Sequence, residues 1–256
     1  MPELPDLTVL IENLSNQIKG LEVKKVVKID KGGIKGEFPY SEDLGRITEI
    51  SRRGKYIVFK AERVSFYIHL MLNGKIHLTD NGSLKGGRIE LKLSNGLNLT
   101  VSDKRGLAHL GTNLSDLPQG IEPLSTSFTF ENFSKLLGKG KRKKIKSFLM
   151  EQDLIAGIGN AYSDEIMYTA KLNPLRRIES LGEEEKKRLY RAIIEVLKRA
   201  IEDVKEKMGN GLELDEERLY LQVHKKKGEK CPICGGKIET VRVDGKLAYY
   251  CPTCQK

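Results

Sequence analysis

The four cysteines constrain this chain most. They stand as Cys231-Pro232-Ile233-Cys234 and Cys251-Pro252-Thr253-Cys254, with sixteen residues between the pairs, all within the last 26 of 256 residues. Two CxxC pairs at that distance are the spacing of a four-thiolate zinc site, each pair forming a knuckle that offers two sulfurs to one tetrahedron. Gly235-Gly236 lets the chain turn away from the first knuckle, and residues 237–243 and 247–250 pair as a hairpin about Asp244-Gly245. Four protein ligands leave no open position for water, so the expected metal is one structural Zn²⁺. A segment with so few apolar residues needs such a staple. The competing reading, two disulfides, suits an oxidising compartment.

Charge points to the partner. Lys and Arg number 45 against 35 Asp and Glu, a formal net charge of +10. An excess of that size favours a polyanion without saying anything about fold. Two stretches concentrate it: residues 139–146, with Lys139, Lys141, Arg142, Lys143, Lys144 and Lys146, and residues 225–246, with Lys225, Lys226, Lys227, Lys230, Lys237, Arg242 and Lys246. Lysines on a zinc-braced hairpin suit phosphate contact. No apolar run reaches the roughly 20 residues of a membrane helix. The N-terminus lacks the pattern of a signal peptide, so the expected setting is the cytoplasm, without a membrane partner.

Periodicity divides the rest. Leu7, Leu10, Ile11, Leu14 and Ile18 recur at helical spacing over residues 7–20. Residues 56–60, 65–70, 89–93 and 97–101 read as strands, the last two alternating apolar with polar about Ser94-Asn95-Gly96. Residues 117–124, with Pro118, Gly120 and Pro123, read as a linker. Helices are expected from Thr129 or Glu131 to Gly138, over 146–153, over 160–170 and over 183–207, the last carrying a stripe of Leu189, Ile193, Leu197, Ala200, Ile201 and Val204. Residues 209–220 read as a polar loop. The class is α+β: an N-terminal helix with an antiparallel β-sandwich (1–116), a linker (117–124), a helical domain (125–222) and a zinc-finger hairpin (223–256). Gly157-Ile158-Gly159 follows no strand, so a nucleotide-cofactor reading is rejected. The turn instead opens a helix whose first N–H groups can hold an anion, with Asn160 as its expected cap.

Pro2 follows the initiator Met, and a small second residue permits Met removal. The exposed secondary amine, with an α-amino pKa of about 7.7–8, is a nucleophile that forms an iminium with a sugar aldehyde. Glu3 stands beside it as an acid/base.

Met1-Pro2-Glu3-Leu4-Pro5-Asp6 resembles the start of the formamidopyrimidine-DNA glycosylases and, less closely, of the endonuclease VIII enzymes. Arg52-Arg53-Gly54-Lys55-Tyr56 is similar to that family's lysine-bearing turn, and His69-Leu70-Met71-Leu72-Asn73-Gly74 to its intercalating loop. Glu122-Pro123-Leu124 resembles the linker, Lys146 to Glu165 the helix–two-turn–helix element, and Gln222-Val223, Lys227-Gly228-Glu229 and the cysteines the zinc finger. The resemblance implies a glycosylase/AP lyase that excises oxidised bases such as 8-oxoguanine and formamidopyrimidines from double-stranded DNA, and cuts abasic sites, by β,δ-elimination. It makes Pro2, Glu3 and Lys55 catalytic. Leu72, Arg105 and Leu107 stand where the family places Met, Arg and Phe to fill the vacated stack. His69, Lys146, Asn160 and Lys246 match phosphate contacts. Leu107 replaces an aromatic wedge, Lys246 an arginine fork, and Met71 is a neighbouring alternative to Leu72. Leu4 is usual in the purine-directed branch. The rivals are an endonuclease VIII-like preference for oxidised pyrimidines and a non-catalytic binder of damaged DNA. A monomer is expected, since one bent duplex needs no second subunit.

Overall fold

The computed structural model describes all residues except 31, 37, 39–42, 81–85 and 216. The chain divides into two compact units, one of residues 1–117 with 204–216, the other of residues 118–203 with 217–256.

The first unit opens with α1 (Leu4–Ile18), three residues earlier than the apolar period suggests. Glu3 is its extended N-cap, and the Glu3 N–H donates to Asp6 Oδ2 at 2.7 Å, an acidic side chain answering an orphan donor of the first turn. Pro5 is tolerated there because the first turn has no use for its missing N–H. The strands are β1 (Glu22–Lys28), β2 (Ile34–Lys35), β3 (Gly45–Arg53), β4 (Tyr56–Ala61), β5 (Ser65–His69), β6 (Lys75–Thr79), β7 (Gly87–Leu93), β8 (Asn98–Ser102) and β9 (His109–Gly111). They join in the order β2-β9-β5-β4-β3-β1-β7-β8-β6. β1 and β3 share only two register pairs, Glu22 with Arg46 and Val23 with Gly45. The two halves on either side of that seam bury one common core, in which Ile57, Phe59 and Phe66 of one half join Ile89, Leu91, Leu99 and Val101 of the other, with α1 packed in through Leu7, Leu10 and Leu14. That is the sandwich expected from the alternating strands. Leu212 and Leu214 pack against the same core.

In the second unit lie α2 (Phe130–Lys139), α3 (Ile145–Leu149) and α4 (Asn160–Thr169). The long α5 (Glu183–Met208) contributes most of its length here. Thr129 caps α2 by accepting from Asn132 N–H. Gly159, not Asn160, is the N-cap of α4, and Asn160 is its first helical residue. Asn160 already lies inside the helix, one position past the cap, so its side chain does not serve as the expected N-cap. α3 is shorter than the sequence pattern because the chain turns at Met150. β10 (Glu239–Val243) and β11 (Lys246–Tyr250) form the hairpin. Asp244 (φ 48°) and Gly245 (φ 82°) form the expected two-residue turn, whose left-handed backbone matches strand twist.

Candidate functional site

In the first unit the chain start and the lysine-bearing turn are tied together by an arginine. Pro2 and Glu3 are buried and Met1 is exposed. Arg52 donates through Nε to Thr8 Oγ1 at 3.2 Å, on the second turn of α1, and through a guanidinium nitrogen to the Gly54 carbonyl at 3.1 Å. Gly54 (φ 56°) makes the turn that carries Lys55. One side chain thus fixes the β3–β4 turn against the helix that begins at Glu3. No local pattern signals this role, since a surface arginine and a structural one look alike in a basic chain.

Lys55 also lies near His69, which is buried at the end of β5. Burial, reinforced by His109 and Lys55, pushes the His69 imidazole down to about 3, so it is neutral. Its Nδ1 accepts from Met71 N–H at 3.1 Å, which leaves the proton on Nε2 as a donor. Met71 takes a left-handed backbone (φ 53°), unusual outside glycine. The turn closes with Gly74 N–H on the Leu70 carbonyl at 2.8 Å, so close that a Cβ at Gly74 would lie 2.4 Å from that oxygen. The turn leaves Leu72 exposed at 40%.

A second tip is built by buried charge. Asp103 accepts from the N–H groups of Arg105, Leu107 and Ala108 at 2.9, 2.7 and 2.8 Å. Against burial, those bonds hold its carboxyl below the usual carboxylate range. Arg88, itself buried, donates to the Ala108 carbonyl at 2.7 Å and pairs with Asp30. Leu107 nonetheless stands 43% exposed. An apolar tip held by this many polar bonds is rigid before anything binds it.

The second unit holds the remaining residues. Lys146 lies inside, 1% exposed. Its ammonium pairs with Asp164 Oδ1 at 2.6 Å and donates to Ser163 Oγ and the Asn160 carbonyl. Asp164 Oδ2 meets His224 Nδ1 at 2.8 Å. The structure therefore places Lys146 as a support beneath the start of α4, not on the surface as the basic run suggested. Asn160 Oδ1 is buried without a hydrogen-bond partner. Glu165 accepts from the N–H groups of Gln222, Val223 and His224 and so fastens the approach to the hairpin to α4. Lys246 opens β11 and is exposed. Lys144 pairs with Asp244 at the hairpin turn at 3.0 Å, with Ser147 on the other oxygen.

The four cysteine sulfurs lie within 4.8 Å of one another. Cys231 and Cys254 are 3.8 Å apart and Cys234 and Cys251 3.5 Å. A tetrahedron with Zn–S of about 2.3 Å has edges of about 3.8 Å, whereas a disulfide needs about 2.05 Å. The donor set fits zinc and excludes the disulfide reading. The Tyr168 hydroxyl, on α4, lies 3.2 Å from Cys231 Sγ. Burial opposes it, but that hydroxyl and the N–H groups of Cys234 and Ile233 favour the Cys231 thiolate, whereas burial and the neighbouring sulfurs push the Cys251 and Cys254 thiols up, a crowding of charge that a bound cation relieves. Gln255 accepts from Cys251 N–H and donates to the Leu172 carbonyl, anchoring the second knuckle.

Three family models match the chain: the formamidopyrimidine-DNA glycosylase N-terminal domain over residues 1–110, that family's H2TH domain over 119–210, and the zinc finger found in FPG and IleRS over 228–256. The chain is similar to the formamidopyrimidine-DNA glycosylases of Pelotomaculum thermopropionicum (32% identity, covering 100% of this chain and 99% of the relative) and Thermus thermophilus (33%, 100% and 98%). Among solved structures it is similar to MutM in complex with DNA containing carbocyclic 8-oxo-G (TM-score 0.87, 31% identity, 100% of both chains). It is also similar to the Lactococcus lactis enzyme bound non-covalently to DNA containing an abasic site (TM-score 0.86, 30% identity, 99% of both chains).

Proposed function

Because the chain belongs to the formamidopyrimidine-DNA glycosylase family, we propose how its own residues carry out the family's chemistry. The protein is a DNA glycosylase for oxidised bases with one structural zinc, and its partner is DNA bearing a damaged base or an abasic site. The family assignment, at 32–33% identity over the whole chain, carries this reading.

We assign the nucleophile to the Pro2 amine, freed when the exposed Met1 is removed. Its nitrogen bonds to C1′ of the flipped nucleotide as the glycosidic bond breaks and the base leaves with a proton. Glu3 transfers a proton to open the sugar, and an iminium joins Pro2 to the ring-opened C1′. That cation makes the C2′ proton acidic, so a positioned base suffices to expel the 3′ phosphate, and a second elimination expels the 5′ phosphate. Lys55, held by the turn that Arg52 ties to α1, serves the same centre. Leu72 and Leu107 fill the space of the flipped nucleotide, whose extraction costs a few kcal/mol. Arg105 holds the orphaned base. His69 donates Nε2–H to a phosphate as a neutral group, so it adds direction without counterion release. Asn160 and Lys246 grip the backbone, and Lys146 acts beneath Asn160.

The domains we assign are 1–116 (catalytic), 117–124 (linker), 125–222 (helix–two-turn–helix) and 223–256 (zinc finger). The protein works as a cytoplasmic monomer associated with the nucleoid through DNA. Among the described residues no helix is long and apolar enough to cross a membrane.

The test is excision from duplexes bearing 8-oxoguanine or thymine glycol. Cleavage of the 8-oxoguanine duplex that is lost in Glu3→Gln supports the assignment. Thymine glycol as the better substrate would move the enzyme to the pyrimidine-directed branch. Unchanged cleavage by Glu3→Gln would remove Glu3 from the chemistry.

A further inference from the structure

The two tips described above are held by two histidines that face each other. His69 ends β5, His109 opens β9, and the two are register partners. Their rings lie 5.7 Å apart at an interplanar angle of 22°. Tyr56 packs on His69 at 4.4 Å, and Tyr67 meets His109 edge-on at 6.1 Å. Both imidazoles are buried, at 7% and 5% exposure.

Their hydrogen bonds run in opposite senses. His69 Nδ1 accepts from Met71 N–H, one residue before Leu72. His109 Nδ1 lies 3.0 Å from the Leu107 carbonyl, and a carbonyl only accepts, so this nitrogen carries the proton. Each ring therefore grips the backbone of one tip, and the pair ties the two tips together. Asp103 satisfies the N–H side of the second tip and Arg88 the Ala108 carbonyl, and His109 supplies the donor for the Leu107 carbonyl.

We infer that His109 is a positioning residue that holds the Leu107 tip in its inserted geometry and couples it, through His69, to the Leu72 tip. The inference rests on the reading of Leu72 and Leu107 as wedges. It gives His109 a part in sensing the base opposite the lesion without touching DNA. The charged and titratable groups about the pair are Lys35, Lys55, Arg88 and Asp116, with Tyr56 and Tyr67. The role needs a neutral donor at Nδ1 and no change of protonation.

The experiment uses two variants of the full chain. His109→Phe keeps a ring against His69 and removes the donor. His109→Asn loses the ring but keeps an N–H near the place of Nδ1. The probe is a duplex with a tetrahydrofuran abasic analogue opposite 2-aminopurine, which cannot be cleaved. Binding by the wild type changes the fluorescence as the wedges enter. We expect His109→Phe to lose most of that change and to lower the preference for 8-oxoguanine opposite C over A by about fivefold, the size of one hydrogen bond. His109→Asn retains both within about twofold. If His109→Phe matches the wild type in both, the positioning role is wrong. Nitrogen NMR of the wild type adds a check independent of either variant's folding: a proton on Nε2 of His109, with Nδ1 bare, overturns the inference. Fluorescence is read without excision, so a wild type that inserts its wedges but cannot release 8-oxoguanine contradicts the glycosylase reading alone.

Discussion

The sheet domain and the cysteine hairpin both present short loops to solvent, but they make those loops rigid from different stock. Beneath Leu72 and Leu107 lies a core of large apolar side chains, and the loops are locked to it by buried Asp103, Arg88, His69 and His109. The hairpin rests on a cluster of Tyr168, Val223, Cys231, Ile238 and Cys251. That is too little burial to fold a hairpin in water. Its order comes from four thiolates and from the bonds of Tyr168, Gln255 and Glu165 to neighbouring backbone and sulfur. One region spends a core to hold a few polar atoms, and the other uses a metal in place of a core.

Zinc removal should separate the two most strongly. Structural zinc contributes roughly 10 kcal/mol or more in isolated fingers. Chelation, or Cys251→Ser, is expected to abolish amide protection over residues 228–256 and to weaken DNA binding at least about tenfold. Protection in α1 and β3–β5 stays. Persistent protection of the hairpin without metal would erase the distinction.

Acid should act on the other region. His69 and His109 both sit below their unfolded value, His69 at about 3, chiefly through burial. The unfolded chain then binds more protons as pH falls, so the stability they contribute is complete above about 6.5 and declines from there towards 3. Each histidine adds a slope of up to about 1.4 kcal/mol per pH unit. Urea melts followed in the sheet domain should show this, and His69→Gln should flatten it.

A smaller effect tests the bond between α4 and the metal site. Tyr168→Phe removes one hydroxyl from Cys231. Zinc should pass to a competing chelator about tenfold more readily, with the melting of the sheet domain unchanged. The smallest effect belongs to the exposed pair Glu131–Lys135 on α2. Lys135→Ala should shift the melting temperature by no more than about one degree.

Much of this was legible in local pattern. The cysteine spacing, the Asp244-Gly245 turn, the alternating strands 89–93 and 97–101 and the stripe of α5 each encode their structure within a few residues. β1 escaped because Lys24 and Lys25 interrupt its alternation, and β2 and β9 are too short to show a period. The polar frame escaped for a different reason. Arg88 and Glu165 gain their partners only when distant segments close, and Asp103 and His109, whose partners lie within five residues, sit on a short irregular loop where no period announces a buried bond. Lys146 shows the same limit in reverse. In sequence it is one more cation of a basic run, and in the fold it is an interior ion pair.

In the proposed mechanism the chemistry belongs to the amine of Pro2, far in sequence from the basic stretches. Borohydride reduction of the enzyme on a duplex with an abasic site, followed by peptide mapping of the trapped species, tests it most directly. The expected product is a sugar adduct on the N-terminal peptide that begins at Pro2, absent when Met1 is retained. An adduct mapped to Lys55 or another lysine, with Pro2 unmodified, would contradict it.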